Sequence, residues 1–216
     1  GTERLYAISP DQHLNAAYYR NTAIHYFILD AIVEVALLDA AEADDPVAAF
    51  HNMTLELREL FKFEFYLPRR ANYRSEIELR ASDRFGDWEE ALSSDGHGLL
   101  HDVRLLVGHA VLRSFVEAYR VVASVLADAD EAAVEDRGAL LSQCMKAGKQ
   151  QLLQGRVVSP ESISKTLYET GLRLAEYRGL LAANQGAQRR DFHEVLRNIN
   201  KRLDEILAIT LAKIDD

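Results

Sequence analysis

His25 and Asp30 stand five residues apart in the run His-Tyr-Phe-Ile-Leu-Asp. That spacing would let an imidazole act as general base with a carboxylate orienting it. In a continuous helix, residues five apart are rotated by roughly 140° about the axis, so the two side chains should diverge. The residues between them are all large and apolar, as in a core, and no catalytic residue is assigned. His97 and His101 lie four apart, the spacing for two imidazoles sharing zinc on one helix face, with Asp95 and Asp102 nearby. A zinc site needs a third or fourth ligand at defined spacing. The other histidines carry no Glu three positions earlier, so the di-iron bundle motif is missing too. The chain has no Gly-rich phosphate loop, no Gly-x-Ser-x-Gly turn and no Cys and His pair with a local signature. No metal and no cofactor is assigned.

Two further clusters carry polar chemistry. Tyr19, Arg20, Asn21 and His25 sit beside a dense apolar stripe. Phe61, Phe63, Phe65 and Tyr66, followed by Arg69, Arg70 and Arg74, combine aromatic bulk with positive charge. The second group could seat the chain on anionic lipid head groups; equally, its rings could be core.

The elements that position these residues read as helices. From Tyr18 to Leu38, the residues Ile24, Phe27, Ile28, Ala31, Ile32, Val35 and Leu38 recur three and four apart, which makes one buried face. Ser9, Pro10 and Gln12 form a start signal ahead of it. Asp44 or Asp45 can cap a second helix beginning at Pro46 and striped by Phe50, Met53, Leu57, Leu60 and Phe61. Phe61 to Leu67 is read as a helix end running into an extended segment, stopped by Pro68. Asn72 to Phe85 is a charged helix, and Gly86 to Gly98 is the most turn-rich stretch and the linker candidate. Leu99 to Ala127 is apolar almost all round and is placed centrally, with Arg113, Glu117 and Arg120 spaced to pair with one another. Glu135 to Gln154, Ser159 to Leu181 with Ser159 as cap, and Gln188 to Ile214 complete the pattern. The expectation is an all-α single domain of about seven helices, two of them long and central.

A chain of 216 residues can bury roughly 70% of the surface its unfolded form exposes, enough for one substantial core. With 48% hydrophobic and 27% charged residues, the composition is that of a soluble globular protein. The net charge of -9 argues against nucleic acid as a partner. Cys144 is the single cysteine, so no internal disulfide can form, and a reducing compartment is the simpler reading. No apolar run approaches the ~20 residues that span a bilayer. Gly1 and Thr2 read as a cloning remnant, and a start at an amphipathic helix suggests a domain cut from something longer.

The order of segments matters more than any single one. YYRNTAIHYF, LRELFKFEFYLPRR, VLRSFVEAYRVVASVLA and KQQLLQGRVVSPESISKTL together resemble the carboxy-terminal region of PlsB-type glycerol-3-phosphate acyltransferases, a family with mitochondrial and peroxisomal relatives. The most specific pieces are Tyr19-Arg20-Asn21 with His25, Lys62-Phe63-Glu64-Phe65 ahead of Pro68, and Pro160-Glu161-Ser162 after Gly155. The resemblance implies a parent enzyme that moves a fatty acyl group from acyl-CoA or acyl-carrier protein to the 1-position of glycerol 3-phosphate, the first step of phospholipid synthesis. It also implies a site of action at the cytoplasmic face of the plasma membrane. In that family the catalytic His-x-x-x-x-Asp and the phosphate-binding motifs lie upstream, in an α/β domain that none of this sequence matches.

The expectation is therefore a C-terminal companion domain, residues 1–216, inactive alone and packed on the upstream catalytic domain. Tyr19, Arg20, Asn21 and His25 are its contact candidates; Arg20 and Asn21 could equally cap or bridge neighbouring helices. Phe61, Phe63, Phe65, Arg69, Arg70 and Arg74 are the membrane-surface candidates. The competing reading is a stand-alone helical ligand-binding and dimerisation module of repressor type, which would enclose a mostly apolar pocket.

Overall fold

The computed structural model describes Gln12 and residues 23–103, 105–130, 134 and 136–215. Its organising helix is the one whose sequence is apolar nearly all round. Helix α5, Gly108–Asp128, buries Val111, Leu112, Val116, Ala118, Tyr119, Val121, Val122 and Leu126 on every side, along with Ser114 and Glu117. Such a helix satisfies its backbone internally and must be surrounded by others. Helix α8, Gly186–Asp215, runs beside α5, and α6 (Arg137–Leu153) and α7 (Lys165–Tyr177) cover other faces. The second centre is α1, Ile28–Ala40, which packs on α5 and on α2 (Pro46–Phe61), α3 (Arg70–Phe85) and α4 (Trp88–Leu99). The described residues thus form eight α-helices and two single-turn 3-10 segments, Ile24–Tyr26 and Pro160–Ser162, with no strand. Among them no helix is long and apolar enough to cross a membrane.

Local chemistry sets the helix starts. Asp45 Oδ1 accepts from Ala48 N at 3.1 Å ahead of Pro46, and Asp136 Oδ1 accepts from Ala139 N at 2.9 Å. Each satisfies one of the orphan donors of a first turn.

Several expectations need correction. The first long helix is not continuous: α1 begins only at Ile28, and Phe27, expected on the core face, is exposed at the break between the 3-10 turn and α1. Its companions on that stripe, Ile24, Ile28, Ala31, Ile32, Val35 and Leu38, are buried. The Gly86–Gly98 stretch is mostly helical rather than a linker, because burying Trp88 and Leu92 holds it to the core; its turn-forming residues produce only a kink at Asp95. The central helix starts at Gly108, not Leu99, so Val103 and Leu106 belong to the irregular segment before it. Ser159 does not cap a helix; after the 3-10 turn, Ser164 caps α7 through Leu167 N. Arg113, Glu117 and Arg120 form no mutual network beyond a 3.9 Å approach of Arg113 to Glu117. Arg113 turns instead to Asp204 at 2.6 Å, and Arg120 to the carbonyl of Arg156.

Candidate functional site

Helix α1 is so completely buried that its one central acid, Glu34, has no water to face. Moving a carboxylate into such a place is costly unless charge and donors surround it. The fold supplies both. The first amides of α5 point at it: Val107 N donates at 3.0 and 2.9 Å to the two oxygens, and Gly108 N donates at 2.6 Å to Oε2. A carboxylate at a helix N-terminus meets both free N–H groups and the positive end of the helix dipole. Arg84 from α3 closes the arrangement, with Nη1 at 2.6 Å from Glu34 Oε1. A Cβ at position 108 would lie 3.0 Å from Glu34 Oε2, so glycine lets the amide come this close. Burial holds the Glu34 carboxyl above the usual carboxylate range, against the opposing pull of Arg84 and the two amides.

The same Arg84 fixes the surface above. Its Nη2 donates to Leu105 O at 2.6 Å, and Lys213 from α8 donates to Leu100 O at 2.7 Å and to Val103 O. The irregular segment carrying Leu100, Val103, Leu105 and Val107 is thus tied down at carbonyls of the first three. It forms, with the start of α1, an open cleft of about 280 Å³ lined by Phe27, Asp30, Arg84, Val103, Leu105 and Val107. Two of its lining residues are exposed apolar side chains, Leu105 at 64% and Phe27, and Tyr26, next to Phe27 in the chain, is 69% exposed. Asp30 contributes a buried Oδ1 without a hydrogen-bond partner, the nearest cation being Arg80 at 3.9 Å.

Of the contact candidates, His25 is exposed in the 3-10 turn with its ring 4.0 Å from that of Tyr26. Tyr19, Arg20 and Asn21, and the start signal Ser9 and Pro10, fall outside the described residues. No hydrogen bond or ion pair joins His25 to Asp30, so no base and orienter are assembled there. His97, His101 and Asp102 are exposed, and Asp95 Oδ1 accepts from Gly98 N at 3.0 Å. Among the described residues no three His, Cys, Asp or Glu side chains gather to hold a metal.

The aromatic candidates pack against the core to different depths. Phe61 is fully buried, Phe65 packs edge-on against Phe115 at 4.8 Å, and Phe63 lies under the Arg173 guanidinium at 4.3 Å. Phe63 and Phe65 are half-buried and pack against the core, continuing the stripe of α2. Arg69 and Arg70 remain exposed, and Arg74 pairs with Glu78 at 2.8 Å.

Two of the segments most specific in the sequence, Lys62 to Phe65 and Pro160 to Ser162, make contacts within the fold. Glu64 accepts from Tyr119 Oη at 2.9 Å, and burial raises its pKa. Lys62 sits 3.0 Å over the Tyr177 ring. Ser162 Oγ donates at 2.8 Å to Glu117, a second fully buried carboxylate, which also accepts from Val158 N and Ser159 N at 2.9 Å each. Sequence reasoning missed Glu34 and Arg84. The available signal was Glu34 as the one acid between Asp30 and Asp39 in an otherwise apolar run.

The comparisons with known proteins agree with one another. The putative acyltransferase plsB1 of Mycobacterium bovis is 36% identical over 220 residues, covering 97% of this chain. The same protein from two strains of Mycobacterium tuberculosis matches equally. The chain spans only 35% of the length of these relatives. No solved structure matches it. Residues 1–184 match the model of the glycerol-3-phosphate acyltransferase C-terminal region. This chain therefore belongs to the family of glycerol-3-phosphate acyltransferase C-terminal regions.

Proposed function

We propose that residues 1–216 form the C-terminal companion domain of a glycerol-3-phosphate 1-O-acyltransferase. The parent protein would transfer an acyl group from acyl-CoA or acyl-carrier protein to glycerol 3-phosphate, giving lysophosphatidate, at the cytoplasmic face of the plasma membrane. This chain supplies no reacting group. It packs against the catalytic region upstream and completes its structure. Family membership and the 35% share of the relatives' length support the reading. The stand-alone repressor-type module finds no support in the comparisons.

The observation that carries the docking role is the apolar face at the start of α1. Phe27 and Leu105 are exposed at a cleft lined also by Arg84, which is paired with buried Glu34, and exposed Tyr26 adjoins Phe27 in the chain. Domain interfaces within one chain bury about 600–1,500 Å², and two aromatic rings and a leucine on a rigid base suit the centre of such a contact. The test is to express the upstream part of the parent protein separately and to measure acyl transfer with and without this chain. Activity should require both parts, and replacing Tyr26, Phe27 and Leu105 with serine should abolish the complementation while leaving this chain folded. Turnover by this chain alone would refute the companion role, and full complementation by the triple variant would refute the docking face.

A further inference from the structure

From Arg137 to Pro160 the sequence holds four cations, Arg137, Lys146, Lys149 and Arg156, and no Asp or Glu, in a chain of net charge -9. Arg137 is engaged with Glu176 of α7 at 2.9 Å. Lys146, Lys149 and Arg156 are exposed, and none has a carboxylate partner among the described residues. Lys146, Lys149 and Leu153 stand at i, i+3 and i+7 on α6 and so share one helix face. Beyond the helix end the chain continues with Arg156 out, Val157 buried and Val158 out. Leu153 is 89% exposed and Val158 62%.

This exposure is imposed by the fold. Arg156 N and Val157 N both donate to Gln151 O, at 2.9 and 3.2 Å, and Gln151 Nε2 is anchored on Ser124 Oγ at 3.1 Å. Arg120 donates to Arg156 O, while buried Glu117 holds the amides of Val158 and Ser159. Polar groups from the central helix pin the turn that holds Val158 in water, just beyond the end of α6 where Leu153 is exposed.

We propose that the edge formed by Lys146, Lys149, Leu153, Arg156 and Val158 rests on an anionic lipid surface. The aliphatic side chains enter the interface, and the long cationic side chains reach the phosphates beside them. Isolated, projecting aliphatic groups interspersed with cations along one segment fit a deformable surface. An acidic chain would otherwise be repelled by such a surface, so a segment free of acids is what it needs to approach one. The inference stands apart from the assignment of an acyl-transfer role.

The test is flotation of the 216-residue chain with vesicles of phosphatidylcholine alone and of phosphatidylcholine mixed with phosphatidylglycerol. Binding is expected only to the mixed vesicles and should fall with added salt. Each basic residue near such a surface is worth about fivefold in binding, so K146Q/K149Q/R156Q should bind on the order of a hundredfold more weakly. L153S/V158S should also weaken binding, and R69Q/R70Q/R74Q should leave it unchanged. These side chains are exposed, and circular dichroism checks that each variant is folded. No binding to the mixed vesicles, as for an edge that docks an acidic protein instead, would overturn the proposal. Equal binding to both vesicle types, or loss only in R69Q/R70Q/R74Q, would overturn it as well.

Discussion

Replacing Glu34 with alanine removes the acceptor for two amides and the counter-charge of Arg84 in one step, at a side chain with 0% exposure. Breaking a buried ion pair by deleting one partner costs on the order of 3–5 kcal/mol, because the remaining charge is left uncompensated. For a chain of this size each kcal/mol moves the thermal midpoint by about 2–4 °C, so a fall of roughly 10 °C is expected. Glu34→Gln keeps the volume and one accepting oxygen but turns an amide donor towards another donor, and should cost about 1–3 kcal/mol. Urea unfolding followed by circular dichroism reads both losses as lower midpoints at constant slope. A cycle with Arg84→Met should show coupling of about 0.5–3 kcal/mol, since the two groups are in contact. The loss should extend to function: with the segment from 100 to 107 no longer held at Val107 and Leu105, complementation of the upstream region should weaken. If Glu34→Gln is as stable as the parent, the reasoning about this carboxylate fails.

Other outcomes follow from particular contacts. A Cβ at Gly148 would lie 2.0 Å from Tyr168 Oη, so Gly148→Ala should lose about 1–3 kcal/mol to overpacking, outweighing a helix-propensity gain of up to ~1 kcal/mol. Tyr168→Phe removes a buried hydroxyl that has no hydrogen-bond partner; it should not destabilise, and should lessen the cost of Gly148→Ala in thermal melts of the double variant. Hydrogen bonds from Arg202 hold the Glu42 carboxyl at about 2, below its ordinary 4.5. Its folded value is the depressed one, so its contribution to stability is present above pH 4.5 and is lost as pH falls through about 2. Denaturation across that window should show the loss in the parent and a smaller one in Arg202→Gln. Burial pushes the Cys144 thiol up to about 12, so a thiol reagent at neutral pH should label it only after denaturation; rapid labelling of the folded chain would contradict its burial.

Much of the fold was legible along the chain. Periodicity and capping residues located α2, α3, α6 and α8 to within a few residues, as Asp45 before Pro46 illustrates. These signals are local: a 3.6-residue period and an oxygen near a first turn act within a few positions. Order of motifs, a property of the sequence alone, was enough to point to the family. What tertiary structure decided were the matters of burial and partner. A glycine-rich stretch became helical because Trp88 and Leu92 had a core to enter. Phe61 became fully buried and Phe63 and Phe65 half-buried against the core, while Arg69 and Arg70 stayed out. Glu34 found its donors 73 and 74 positions away, and Glu117 found Val158 41 positions away. A residue's type and spacing state what it needs, a donor, a counter-charge or an apolar wall; which distant segment provides it depends on how the helices pack in three dimensions.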